Sequence, residues 1–222
     1  MPRLACWSNG SALHSATAEL PLAVRRLVLA SDNRGKLREL DALLSPLGIA
    51  VVPQRSLGVE PAEEPHATFV ENALAKARHA AAASGLPALA DDSGLCCFAL
   101  AGAPGVWSAR FAGKGASDAE NNAALIRALI PFPDRRGHYT CVLVAVRSAE
   151  DPEPLVSDAR WYGEITDAPR GSHGFGYDPH FWLPNEGCTA AELAPEVKNR
   201  VSHRALAMRE MTRRLAADWD WR

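Results

Sequence analysis

No strong charge of either sign marks this chain: 24 basic against 26 acidic residues leave a net charge of −2. It has no overall basic field with which to gather nucleic-acid polymers, so any anionic ligand must be held by a local set of cations. Lysine is scarce. Lys36, Lys76, Lys114 and Lys198 stand beside twenty arginines, so each lysine is a position to follow. No apolar run approaches the roughly 20 residues that a membrane-spanning helix needs. The segment Met1 to Arg26 has no continuous apolar core of the kind a secretory signal carries, and residues 1–25 are expected to be a poorly ordered extension. The five cysteines, at 6, 96, 97, 141 and 188, are odd in number and show no CxxC or Cys/His spacing for zinc. The adjacent Cys96 and Cys97 make a poor disulfide, and a reducing, cytoplasmic setting is the simpler expectation. Internal repeats, low-complexity tracts and long linkers are also absent.

What is present is an ordinary globular composition over 222 residues, 47% hydrophobic and 23% charged, enough for one sizeable core or two lobes that share a sheet. Leu27–Ala30 is a short apolar run ending in the polar turn Ser31–Gly35. Leu37, Leu40, Leu43 and Leu44 then follow at helical spacing, so the chain opens as strand, tight loop and helix. A second strand is expected at 49–52. Thr68 and Glu71 have capping-box spacing before an alanine-rich helix to about Ser84, which Gly85 stops. Ala88–Ala90 is a strand leading into Asp91-Asp-Ser-Gly94, whose residues suit a turn. Ser117 and Glu120 start another helix that ends near Pro131. Residues 139–146 form the clearest strand, continuously apolar as a buried one is. Further strands are expected at 159–166 and 181–183, and Ser202 caps a last helix to about Leu215.

Three segments carry chemistry. Ser31-Asp-Asn-Arg-Gly-Lys36 lies between a strand and a helix, where free N–H groups and the helix dipole favour a phosphate. It is not a GxxxxGK[ST] loop, and taken alone it is equally a surface turn with a solvated lysine. Glu63-Glu64 and Asp91-Asp92 are adjacent carboxylates at strand ends. One of each pair can enter a cleft while its neighbour points to the opposite face. Magnesium wants a few carboxylates and keeps waters and substrate phosphates, although acidic turns explain the same residues. Gly174-Phe-Gly-Tyr-Asp-Pro179, followed by Lys198 and Ser202-His-Arg204, supplies a π-face, an acceptor and several donors, a combination that suits a nucleobase.

These motifs, in this order, resemble the inosine triphosphate pyrophosphatase family of non-canonical purine nucleotide pyrophosphatases. The resemblance rests on the segments at 31–36, 63–64, 68–73, 90–95, 102–110, 174–179, 189–193 and 202–204, with Lys76 and Lys198, and spans about Arg26 to Leu215. It implies an α/β fold: a twisted mixed β-sheet with flanking helices, forming two lobes with a substrate groove between them. The catalytic domain would be 26–217, with 218–222 a tail. The loop Ser31, Asp32, Asn33, Arg34, Gly35 and Lys36 would hold the triphosphate, with Lys76 reaching the phosphates. Asp92 would be the proton acceptor and, with Glu64, a ligand of Mg2+. Ser93 would lie beside the substrate. Phe175 would stack on the purine. Gly176, Tyr177, Asp178, Lys198, His203 and Arg204 would line the base pocket. The implied reaction releases pyrophosphate from ITP, dITP or XTP, by a protein that is a homodimer with no membrane or nucleic-acid partner.

Three of the four lysines fall on implied site positions; Lys114, in a glycine-rich loop, is the exception and reads as a solvated residue. A 6-keto oxygen accepts hydrogen bonds from groups such as His203 and Arg204, whereas a 6-amino group leaves those donors facing another donor. Residue chemistry by itself reaches only a purine-like base. It leaves open a pyrophosphatase for modified pyrimidines, a nucleotide-binding module without catalysis and a plain interaction domain.

Overall fold

The structure, a computed structural model, describes residues 25–221. The expectation for the N-terminal extension therefore lies, except for Arg25, outside the described residues. Seven strands form one mixed sheet in the order β2-β1-β3-β4-β5-β6-β7. In chain order the elements are β1 (Arg25–Leu29), α1 (Arg34–Leu44), β2 (Ile49–Pro53), α2 (Phe69–Ser84) and β3 (Ala88–Cys97). Then come α3 (Asp118–Leu129), β4 (Arg136–Val146), β5 (Leu155–Ile165), β6 (Phe181–Leu183), β7 (Cys188–Thr189), α4 (Pro195–Val201) and α5 (His203–Asp218). β1 runs parallel to both β2 and β3, and the rest of the sheet is antiparallel. Parallel pairing at one edge follows from the helical crossovers α1 and α2, since a short turn cannot return a chain to a parallel neighbour.

Strand alternation decides which helix meets which residue. Leu27 and Leu29 of β1, Leu89 of β3 and Cys141 and Leu143 of β4 face one way, into a core shared with Leu40 and Leu44 of α1 and Met208 and Met211 of α5. Val28, Ala88, Ala90, Val142 and Val144 face the other way, onto Ala73, Ala77 and Ala80 of α2. A third cluster gathers Leu95, Tyr139, Trp161, Phe181 and Tyr177 with Leu125 and Leu129 of α3.

Three helix starts follow the capping residues read from sequence, Ser202 at α5 among them, its Oγ accepting from the Ala205 N–H. Ser117 Oγ accepts from the Glu120 N–H while the Glu120 carboxylate accepts from the Ser117 N–H at 2.7 Å. Thr68 Oγ1 accepts from the Glu71 N–H at the start of α2. One expectation is overturned: Asp91–Gly94 is not a turn but the middle of a ten-residue strand. Full pairing with β4, Asp91 opposite Leu143 and Gly94 opposite Thr140, outweighs the local turn preference of these residues. Gly94 is needed there because a Cβ would overlap the carbonyl oxygen of Gly105, whose segment crosses the strand and gives Ser108 Oγ to the Leu95 N–H at 2.9 Å. The short helix α4 and strand β7 were not visible in the sequence pattern.

The buried face of α2 is almost wholly alanine, with Ala73, Ala77 and Ala80 fully inaccessible to solvent. A helix so faced lies close against the sheet. Ala77→Leu adds volume where no space exists and is expected to destabilise the protein by about 1–3 kcal/mol, read as a lower urea midpoint with an unchanged slope.

Candidate active site

The central feature is a pair of neighbouring aspartates on β3 with opposite surroundings. Asp91 faces α1 and α5, and Asp92 faces α2. Asp91 is 1% exposed. Its Oδ2 accepts from Arg204 Nε at 2.7 Å, and its Oδ1 lies 2.5 Å from Lys36 Nζ. Ser93 Oγ and Cys141 Sγ also donate to it, at 2.9 and 3.2 Å. Burial would raise this carboxyl, but Arg204 and Lys36 outweigh it and hold the group well below the usual carboxylate range.

Asp92 meets α2 through Lys76 Nζ at 3.0 Å and Asn72 Nδ2 at 3.3 Å, two residues one helical turn apart. Burial pushes its carboxyl above the ordinary value, and the lysines only partly oppose that. A carboxylate of raised pKa is the stronger proton acceptor. Lys76 also reaches Glu64 Oε1 at 2.6 Å and the Asp91 carbonyl at 2.9 Å. Glu64 is further held by Arg110, 3.4 Å away. Glu63, its neighbour, is exposed, so it is Glu64 that faces the cluster.

Among the described residues, no group of three or more His, Cys, Asp or Glu side chains converges as a metal cage. Two convergent carboxylates, Glu64 and Asp92, do share one cation, the Lys76 ammonium. That donor set fits a hard divalent ion that completes its shell with water and phosphate oxygens.

A cavity of about 600 Å³ opens over this cluster and extends to the glycine-rich loop. At that end, the Phe175 N–H donates to Asp178 Oδ2 at 2.9 Å, and Lys198 Nζ lies 2.5 Å from the same oxygen. Lys198 is shared with Glu39 of α1, which also binds Arg204. Tyr177 is buried and gives its hydroxyl to the Ser108 carbonyl at 2.8 Å. The loop is pinned from α3 as well: Asp118 Oδ2 accepts from the Gly176 N–H at 2.7 Å, and Asn122 Nδ2 donates to the Gly176 carbonyl at 2.9 Å. His203 stacks on Tyr139 with ring centroids 4.6 Å apart. Burial and the nearby Arg204 and Lys198 keep it neutral, with a pKa well below the usual histidine value. Its buried Nδ1 has no hydrogen-bond partner among the described residues.

Most residues singled out from sequence line this one cavity: Ser31, Asp32, Asn33, Lys36, Glu64, Lys76, Asp92, Ser93, Phe175, Gly176, Tyr177, Asp178, Lys198, His203 and Arg204. Two do not. Arg34 is exposed on the first turn of α1, away from the cavity, and Gly35 is buried beneath the Phe175 ring, where a Cβ would overlap it. Asn33 is the cap of α1, its Oδ1 accepting from the Gly35 and Lys36 N–H groups at 2.9 and 3.0 Å. The Asp32 carboxylate is held by Arg55 and Gln54 at 2.7 and 3.2 Å. Glu39, Asn72 and Arg110 belong to the network but were assigned no role from sequence. Asn72 had a local signal, its i, i+4 relation to Lys76. Arg110 closes the 102–110 segment on which the resemblance rests, and Glu39 had no signal, because its partners lie far along the chain.

A model of the Ham1 family matches residues 27–214. A Bordetella pertussis protein named dITP/XTP pyrophosphatase is 64% identical over 197 residues, 87% of this chain and 92% of its own. A Burkholderia pseudomallei protein of the same name is 64% identical over 193 residues, covering 86% of this chain and 93% of its own. Among solved structures, a HAM1 protein from Coxiella burnetii superposes with a TM-score of 0.81 at 48% identity, covering 87% of this chain and 99% of its own.

The opposite environments of the two aspartates predict opposite effects on folding. Asp91→Asn leaves buried Arg204 and partly buried Lys36 without their shared counter-charge, and should cost about 3–5 kcal/mol in urea unfolding at pH 7. Asp92 is raised in the folded state, so its ionised form opposes folding above that pKa, and Asp92→Asn should be neutral or stabilising. Equal stability of the Asp91→Asn variant and the unmodified protein would refute the first assignment.

Proposed function

The chain belongs to the Ham1 family, and we propose that it hydrolyses ITP, dITP and XTP to the monophosphate and pyrophosphate, keeping wrong purines out of DNA and RNA. The observation that carries this reading is one cavity with a paired carboxylate–lysine cluster at one end and an aromatic, acidic and basic pocket at the other. The first end suits a polyphosphate under attack by water, and the second suits a purine. A module without catalysis would have no reason to keep Asp92, Glu64 and Lys76 in mutual contact.

Glu64 and Asp92 are the residues that would hold a magnesium ion, which when bound supplies positive charge to phosphoryl oxygens and acidity to water. The chain's own groups account for the rest. Asp92 Oδ accepts the proton of the water that attacks the α-phosphorus. The P–O bond to the β-phosphate breaks, and the electron pair leaves with pyrophosphate. Lys36 and Lys76 offset the charge that develops on the transferred and leaving groups. Asn33 holds the start of α1 in place, and Lys76 is kept charged because Asp92 and Glu64 outweigh its burial.

At the base end, Phe175 offers a face and neutral His203 one N–H and one acceptor. Arg204 is fully buried and divided among Asp91, Glu39 and Ser93. It supports the pocket floor before it can read a base, so His203 is the cleaner position at which to test selectivity. The cytoplasmic location and homodimeric state implied by the resemblance belong to this reading. No described helix is long and apolar enough to cross a membrane. Light scattering should give twice the 23.8 kDa of one chain.

Pyrophosphate release from ITP, XTP, dITP, ATP, GTP and dTTP, with and without magnesium, is the deciding assay. Magnesium-dependent preference for the first three is expected; dTTP as the best substrate would overturn the purine reading. Asp92→Asn should lower kcat by about 100-fold or more with unchanged circular dichroism. His203→Phe keeps the stack on Tyr139 but removes both ring nitrogens, and should narrow the ITP-to-ATP ratio in kcat/KM. Gly35→Ala should displace the Phe175 ring and raise KM for ITP while the protein stays folded.

A further inference from the structure

Nearly every cation that lines the cavity is already matched to a carboxylate. Lys36 is held by Asp91, Lys76 by Glu64 and Asp92, and Arg110 by Glu64. Lys198 is held by Glu39 and Asp178, and Arg204 by Asp91 and Glu39. Lys114 differs. It lines the same cavity, is exposed, and has no ion-pair partner among the described residues.

Its setting is a short loop fixed at both ends. The Ala112 N–H donates to Asn121 Oδ1 at 2.8 Å, the Gly113 N–H to the Arg110 carbonyl at 3.0 Å, and the Ser117 N–H to Glu120 at 2.7 Å. Between these anchors, Gly113 and Gly115 flank the lysine with φ of 127° and 80°. These are conformations that side-chain-bearing residues rarely adopt, so the loop is built to present position 114 from a tight turn. An exposed lysine elsewhere on the surface would be a solvated charge and nothing more. This one is held at the rim of a cavity in which the other cations have partners.

We propose that Lys114 is a further substrate-binding residue that engages the outer phosphates of the nucleoside triphosphate. The inference rests on the pyrophosphatase reading above. Lys114 lies four residues beyond Arg110, which pairs with Glu64 in the carboxylate–lysine cluster, so its loop borders the end of the cavity where that reading puts the polyphosphate. There the incoming anion meets a cluster whose charges are largely compensated among themselves. A lysine without a carboxylate partner contributes its full charge, on a flexible stem with three donors. Being exposed, its contribution is screened by salt.

The experiment compares the unmodified protein with Lys114→Ala, Lys114→Glu and Lys114→Arg. KM for ITP should rise about 3- to 10-fold in Lys114→Ala, the range of a modest charged contact. It should rise further in Lys114→Glu, return toward normal in Lys114→Arg, and change more than kcat does. Binding of inorganic pyrophosphate, measured by calorimetry, should weaken in parallel, while binding of inosine stays unchanged. The dependence of kcat/KM on potassium chloride should be shallower without the lysine. Unaltered KM, pyrophosphate affinity and salt slope in Lys114→Ala would overturn the inference. Failure of the unmodified protein to release pyrophosphate from any purine triphosphate would instead overturn the functional reading itself.

Discussion

Everything in the site depends on one buried carboxylate. Asp91 collects a guanidinium from α5, an ammonium from α1, a hydroxyl from its own strand and a thiol from β4. In a medium of low dielectric, an ion so placed is tolerated only because its partners neutralise and hydrogen-bond it almost completely. The same contacts fix where Lys36, Ser93 and Arg204 point. The charges that face the cavity are therefore set by a residue that does not line it. Glu39 extends the arrangement to Lys198, and Lys198 to Asp178 and the Phe175 loop. A continuous chain of ion pairs thus links the carboxylate–lysine end of the cavity to the Phe175 end.

Alternation along β3 is what makes two adjacent aspartates different residues. One faces the helices that carry arginine and lysine and is held fully ionised. The other faces alanine-rich α2, where Lys76 and Lys36 only partly offset its burial, and becomes more basic. Neither needed a special backbone. A strand supplies opposite environments at successive positions for nothing more than its pleat.

How much of this could be read beforehand follows from distance along the chain. Helix starts at Ser117 and Ser202 and the strand–loop–helix opening at 27–44 were legible because their signals are local. The i, i+4 spacing of Asn72 and Lys76 is a local signal of the same kind. Glu39 was invisible as a partner of Arg204, since 165 residues separate them and nothing in either neighbourhood announces the pairing. The strand through Asp91–Gly94 was hidden by residues that favour turns, and only the long pairing with β4 overrides them. The motifs that carry the resemblance meet in one cavity, while Arg34 points outward and Gly35 lies under the Phe175 ring. Lys114 went the other way, from a lysine read as solvated to the lining of the cavity.

The alanine face of α2 has a further consequence. Because the helix meets the sheet through single methyl groups, it can lie close against β3, and Lys76 and Asn72 reach Asp92 from there. The helix acts as a depth gauge: interior bulk sets how far its polar side chains can project. Drift toward larger side chains on the hidden face would lift the ammonium and amide away from β3 together, without altering any group in the cavity. Ordinary core variation and catalytic geometry are therefore not independent here, and the tolerance of these alanines is a matter of reach rather than of hydrophobicity.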